Sequence, residues 1–109
     1  MSFGGIRSMW VFALFDLPVD TKEQRAQYRR FHDTLVDDGF QRIQYSVYAR
    51  HCASAENSTV HEQRILAFLP PEGEVRLFQL TDLQFERIKV FVGNIRAPTE
   101  SAPEQLTFL

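Results

Sequence analysis

Seven consecutive apolar residues, Met9-Trp10-Val11-Phe12-Ala13-Leu14-Phe15, run directly into one carboxylate, Asp16, and are stopped there by Leu17-Pro18. A segment apolar at every position reads as a strand covered on both faces, which places it at the centre of a sheet. Side chains alternate along a strand, so Asp16 shares a face with Trp10, Phe12 and Leu14. It is expected to leave the sheet beside large hydrophobic groups that exclude water. A carboxylate held there needs a partner. Two are open: a hard cation such as Mg2+, with a second Asp16 supplied by a symmetry mate, or the backbone N–H groups of the Leu17-Pro18 turn.

The rest of the chain alternates helical and extended patterns. Asp20 followed by Glu23 resembles a capping box, and Tyr28, Phe31, His32 and Leu35 then recur at helical spacing until Gly39. Phe40 to Cys52 reads as one long strand or two shorter ones. Ile43, Tyr45, Val47 and Ala49 take one face, and Arg42, Gln44, Ser46, Tyr48 and Arg50 the other. Ser54 to Ser58 offers caps for a second helix, Val60 to Leu69, which must end before Pro70-Pro71. Glu74 to Thr81 is a strand with Val75 and Leu77 opposite Phe78 and Leu80. Phe85 to Val92 is another, and the short link between them suggests a hairpin. This order gives an α+β fold: a ferredoxin-like βαββαβ-type sandwich with an additional C-terminal strand and both helices on one sheet face. Residues 1–97 form a single domain, and 98–109 a tail whose apolar end, including Leu106 and Phe108, suits docking on a neighbour or on the chain's own core.

One helix face is not enough to cover such a sheet. Ten phenylalanines in 109 residues exceed what one small core hides, so a symmetric homodimer packed sheet to sheet is expected, with the two Asp16 carboxylates near its axis. A formal net charge of −2 provides no global attraction for nucleic acid, and phosphate binding must come from local clusters. Lys22, Arg25 and Arg29 form one helical stripe with Arg30 beside it, read either as a phosphate contact or as a solvated face with local pairs such as Arg29 to Asp33. Arg42, Gln44, Ser46, Tyr48 and Arg50 suit phosphate or a polar dimer interface. Cys52 is the only cysteine, which excludes an intrachain disulfide and fits the cytoplasm. The Met9–Phe15 run is too short to span a bilayer, and no signal-peptide pattern precedes it. His32, His51, His61 and Cys52 lack zinc spacing, and no phosphate-cradling glycine loop or acyl-transfer constellation is present.

Taken together, Phe15-Asp16-Leu17-Pro18, the helix segment Ala26-Gln27-Tyr28-Arg29-Arg30-Phe31, the block from Gly39-Phe40 to Gln44-Tyr45-Ser46-Val47-Tyr48, and Pro70-Pro71-Glu72-Gly73 before two strands ending at Gly93 resemble the second CRISPR-associated protein family. Among its branches the chain is most similar to members accompanying type II systems. The resemblance spans Met9 to Gly93. It implies a homodimeric scaffold that binds duplex DNA and joins the CRISPR integrase during spacer acquisition. It also implies a metal-dependent endonuclease on RNA or double-stranded DNA, with Asp16 as catalytic residue and Mg2+ ligand across the dimer interface. The family often has tyrosine before this aspartate, where this chain has Phe15. Nucleic-acid contacts then fall to Lys22, Arg25, Arg29, Arg30, Arg42 and Arg50, and partner contacts to Gln44, Ser46, Tyr48, Leu106 and Phe108. Two other classes stand beside this reading: a ferredoxin-like regulatory or protein-interaction module without a nucleic-acid role, and a toxin-like ribonuclease.

Overall fold

In the computed structural model, which describes residues 8–103, the apolar run forms β1 (Met9–Asp16) at an interior position of a four-stranded antiparallel sheet. The chain continues through α1 (Lys22–Asp37), β2 (Gln41–Gln44), β3 (Val47–Cys52), α2 (Ala55–Leu66) and β4 (Glu74–Thr81). Sheet order is β2-β3-β1-β4, the arrangement of a ferredoxin-like sandwich, with β1 hydrogen-bonded to β3 on one side and to β4 on the other. Cover on both faces explains why β1 is apolar throughout. Val11, Ala13 and Phe15 pack with Phe31 and Leu35 of α1 and Ile65 of α2, while Trp10 and Phe12 pack on the opposite face with Ala49 and Phe85.

The helices begin where side chains satisfy free backbone donors. For α1 the cap is Thr21, one residue later than expected: its hydroxyl accepts from Gln24 N at 3.0 Å, and Gln24 Oε1 accepts from Thr21 N at 3.0 Å. Glutamine three residues past threonine closes the reciprocal pair that Asp20 and Glu23 were expected to form. Gly39, at φ +89°, ends the helix, and Gly39 N and Phe40 N donate back to Val36 O and Leu35 O. Ser54 caps α2 and starts it at Ala55, earlier than the expected Val60, because the serine side chain accepts from Asn57 N at 3.0 Å.

The expected strand over Phe85–Val92 is replaced by a short helix, α3 (Asp82–Glu86), and a separate two-stranded ribbon, β5 (Val90–Val92) with β6 (Ile95–Ala97). Thr81 and Gln84 form a second capping box, at 2.9 and 3.1 Å, that turns the chain into a helix where a hairpin was expected. The turn delivers Phe85 onto the sheet, its ring stacked on Trp10 at 3.9 Å between centroids. The second sheet face is therefore partly covered by the chain itself. Cys52 is fully buried at the end of β3, where burial pushes its thiol above the ordinary value; it acts as a small core residue.

Candidate functional site

β1 outruns its neighbour β3. The register pairs Leu14 with Val47, Phe15 N donates to the turn carbonyl of Ser46 at 3.1 Å, and Asp16 is left with a partner only on β4, Glu74. Solvent reaches the strand end at that margin, so Asp16 is exposed and not walled off by Trp10, Phe12 and Leu14 as expected. The carboxylate opens on a cavity of about 280 Å³ lined also by Leu14, Tyr45, Ser46, Val47, Glu74 and Arg76. Arg76 Nη2 lies 3.3 Å from Glu74 Oε2, which leaves Asp16 as the carboxylate in this cavity without an ion-pair partner among the described residues.

Carboxylate oxygens are the donors a hard divalent cation takes, and such an ion keeps several waters. Asp16, with Glu74 across the strand pair, fits that chemistry as part of a site. Among the described residues no three His, Cys, Asp or Glu side chains converge to hold an ion within one chain.

A larger cleft of about 580 Å³ lies beside it, between α1 and the β2–β3 turn. Arg25, Tyr28, Arg29 and His32 recur at helical spacing along one face of α1 and line it, with Arg42, Tyr45 and Tyr48 opposite. The Arg42 guanidinium sits 5.0 Å from the centre of the Tyr45 ring, and His32 meets Tyr48 edge-on at 5.7 Å. Arg25 Nη1 donates to Val19 O and Asp20 O at 3.0 and 3.1 Å, tying the entering loop to the helix. Burial, and then the neighbouring Tyr45 hydroxyl, raise the Tyr28 phenol above its ordinary value; burial also raises Tyr48, against the lowering effect of Arg42. Both phenols therefore stay neutral at physiological pH. Tyr45 lines both cavities and forms the wall between them.

The family model described as CRISPR associated protein Cas2 matches residues 9–88, from the start of β1 to just past α3. The chain belongs to the Cas2 family. It is 56% identical over 98 residues to the CRISPR-associated endoribonuclease Cas2 of Parvibaculum lavamentivorans, covering 90% of this chain and 97% of that one. It is 41% identical over 100 residues to the protein of the same name from Flavobacterium psychrophilum, covering 92% and 87%. A solved structure titled "Crystal structure of cas2" shares the fold at a TM-score of 0.55 and 17% identity, over 92% of this chain and 99% of that one.

In this Cas2-family chain the expected basic residues separate into three groups. Arg25, Arg29 and Arg42 share the cleft, while Lys22 and Arg30 stand exposed on α1 outside it. Asp33, the expected partner of Arg29, is engaged instead with His32 at 3.1 Å. Arg50 points inward: its Nε donates to Asp38 O, at the end of α1, at 2.7 Å and its Nη1 to His51 O, in β3, at 2.8 Å, so it satisfies backbone carbonyls rather than facing a phosphate. Tyr48 is 1% exposed and belongs to the chain's own core, which removes it from the open polar face on which the alternation placed it. The register shift between Arg42 and Gln44 and the Tyr45-Ser46 turn, with Ser46 at φ +65°, break that alternation. Gln44 is exposed at the end of β2, and Ser46 lines the Asp16 cavity. Leu106 and Phe108 lie outside the described residues. Tyr28, His32, Tyr45 and Glu74 were not among the expected site residues; the helical spacing of Tyr28 and His32 with Arg25 and Arg29 was the signal for the first two.

Proposed function

We propose that this Cas2-family chain works as a homodimer in CRISPR adaptation, binding duplex DNA as a scaffold alongside the CRISPR integrase, with a Mg2+-dependent phosphodiesterase centred on Asp16. Within the family it is assigned to the branch accompanying type II systems, which an adjacent locus of that type would bear out. The observation that carries the nuclease reading is the shared wall. A cationic cleft and a carboxylate cavity meet at Tyr45, so one polyanion bound by Arg29 and Arg42 reaches the Asp16 carboxylate. The relatives, named as endoribonucleases, favour RNA as the cleaved substrate.

In this reading Asp16 holds the cation, and Glu74, turned toward Arg76, shapes the same margin. Mg2+ bound there supplies Lewis-acid polarisation of a phosphodiester oxygen and makes a coordinated water easier to deprotonate. Arg29 and Arg42 position phosphates, and the Tyr45 ring, which lines both cavities, sets the distance between them and the carboxylate.

The deciding experiment compares the purified native protein with Asp16→Asn on labelled RNA and duplex DNA. Mg2+-dependent cleavage should fall to background in the variant while duplex binding and integrase-dependent spacer acquisition persist. Unchanged cleavage removes Asp16 from the chemistry. In the same binding assay Arg29→Glu should weaken duplex binding and lower its salt slope by about one or more. Arg29 is the cleaner choice than Arg25, whose guanidinium also holds the loop before α1.

A further inference from the structure

The strand pair that ends at Asp16 sets two like charges face to face. Asp16 of β1 stands directly across from Glu74 of β4, and Leu14 directly across from Arg76, so both carboxylates and the guanidinium share one face of the sheet and line one cavity. Like charges directly opposite on a sheet repel. The backbones cannot move apart to relieve this without loosening the close approach of Gly73 to the Asp16 carbonyl, where a Cβ would meet the oxygen at 2.6 Å. Among the described residues one guanidinium lines the cavity with the two acids, and Glu74 takes it: Arg76 Nη2 lies 3.3 Å from Oε2 and Nε 3.5 Å from Oε1.

That pair is loosely made. Both contacts are longer than the roughly 2.7–2.9 Å of a strong charge-assisted hydrogen bond. The Arg76 and Glu74 side chains keep 72% and 64% of their surface open, where an ion pair contributes little. Asp38 shows what a clamp looks like in this fold, with His61 at 2.7 Å and Arg64 at 2.6 Å. The guanidinium fork that fits a carboxylate fits a phosphate equally well, so a phosphodiester entering the cavity competes with Glu74 for Arg76. Mg2+ is held by one or two carboxylates together with phosphate oxygens of the substrate. Asp16 and Glu74 supply two carboxylates from one chain, but the second is free only once the guanidinium has left it.

We propose that Glu74 and Arg76 are an exchangeable pair that couples phosphate binding to cation binding at Asp16: the phosphodiester takes the Arg76 guanidinium, and the released Glu74 joins Asp16 as a second carboxylate ligand. The inference rests on the Asp16 phosphodiesterase reading and deepens it, since the cation site becomes complete only with substrate in place. Coupling of this kind is reciprocal, so the phosphodiester and the cation tighten each other by the same factor. Without substrate, Arg76 keeps the second ligand occupied and the site holds its ion weakly.

The test titrates Mn2+, which takes the same oxygen ligands as Mg2+, and follows the free ion by electron paramagnetic resonance. Native protein and variants are compared with and without dimethyl phosphate, a phosphodiester that carries no base and resists hydrolysis, and protein-free blanks correct for association of the two in solution. In native protein dimethyl phosphate should tighten Mn2+ binding about fivefold or more, from the lower end of the usual range for coupled sites upward. Arg76→Ala, which frees Glu74, should tighten Mn2+ binding in the absence of dimethyl phosphate and abolish its effect. Glu74→Gln should weaken Mn2+ binding and abolish the coupling, and in that background Arg76→Ala should no longer tighten it. Equal tightening by Arg76→Ala in both backgrounds would show that the guanidinium acts only through its field and would overturn the exchange. Native-like Mn2+ binding by Glu74→Gln, or a native affinity that dimethyl phosphate does not move, would overturn it too; the Asp16 reading stands in each case if Asp16→Asn loses the ion. Native-like Mn2+ binding by Asp16→Asn would overturn both readings.

Discussion

A Cβ added at Gly73, whose φ is +91°, would lie 2.6 Å from the Asp16 carbonyl oxygen and 2.8 Å from Leu17 Cδ2. The start of β4 therefore runs against the backbone of the candidate catalytic residue at a distance that only glycine permits, and in a conformation that L side chains avoid. Gly73→Ala should destabilise the fold by about 1–3 kcal/mol from the backbone conformation alone, with the contact adding to it. It should also displace the end of β1. The paired measurement is thermal unfolding and Mg2+-dependent cleavage: a lowered melting temperature with reduced cleavage at a temperature where the variant is folded is expected, and native-like values for both would show that the approach is not tight. Asp16 itself was legible as a carboxylate ending a buried strand. Its exposure was not, because it depends on where β3 stops relative to β1, and that offset is a matter of strand pairing.

At the scale of elements, Asp38 joins the end of α1 to α2 and β3. Its Oδ2 lies 2.7 Å from His61 Nδ1, its Oδ1 accepts from Arg64 Nη1 at 2.6 Å, and its carbonyl accepts from Arg50 Nε at 2.7 Å. Burial alone would raise this carboxyl, but the hydrogen bonds from His61 and Arg64 outweigh it and hold the group below the ordinary carboxylate value. A depressed folded pKa means that the ionised form stabilises the fold above the unfolded value of about 3.9, and that this contribution is lost as pH falls through the folded value. Asp38→Asn should therefore lower stability near neutral pH by about 1–3 kcal/mol, the range for a charged hydrogen bond. Urea unfolding as a function of pH should show the native–variant gap closing below about pH 4; a gap independent of pH would mean that the carboxylate's charge contributes nothing. None of this was legible beforehand, since residues 38, 50, 61 and 64 converge only when α1, β3 and α2 pack. Of the caps, Ser54 lies within the expected Ser54–Ser58 stretch, whereas the α1 cap falls one residue past Asp20 and the Thr81 cap was not read: threonine with glutamine three residues later appears twice, at Thr21 and Thr81, and the second creates α3.

Across the whole molecule, α1 and α2 bury one sheet face, and α3 covers only part of the other. Phe78 stacks on Phe12 at 4.8 Å yet remains 39% exposed on that second face. The proposed homodimer would close it, so native protein should sediment as a dimer and Phe78→Lys should shift it toward monomer at micromolar concentration. A native monomer across that range would remove the symmetric complement proposed for Asp16. The sequence alone determined the order of elements through β4, the interior place of β1 and the sandwich topology, because these follow from local periodicity and from which residues must leave water. Only the tertiary structure decided which arginines share a cleft, that Arg50 and Tyr48 turn inward, and that Tyr45 divides the cationic cleft from the Asp16 cavity. Those outcomes hinge on a register shift and a two-residue turn in the β2–β3 hairpin, and one such shift changes the face that every following side chain presents.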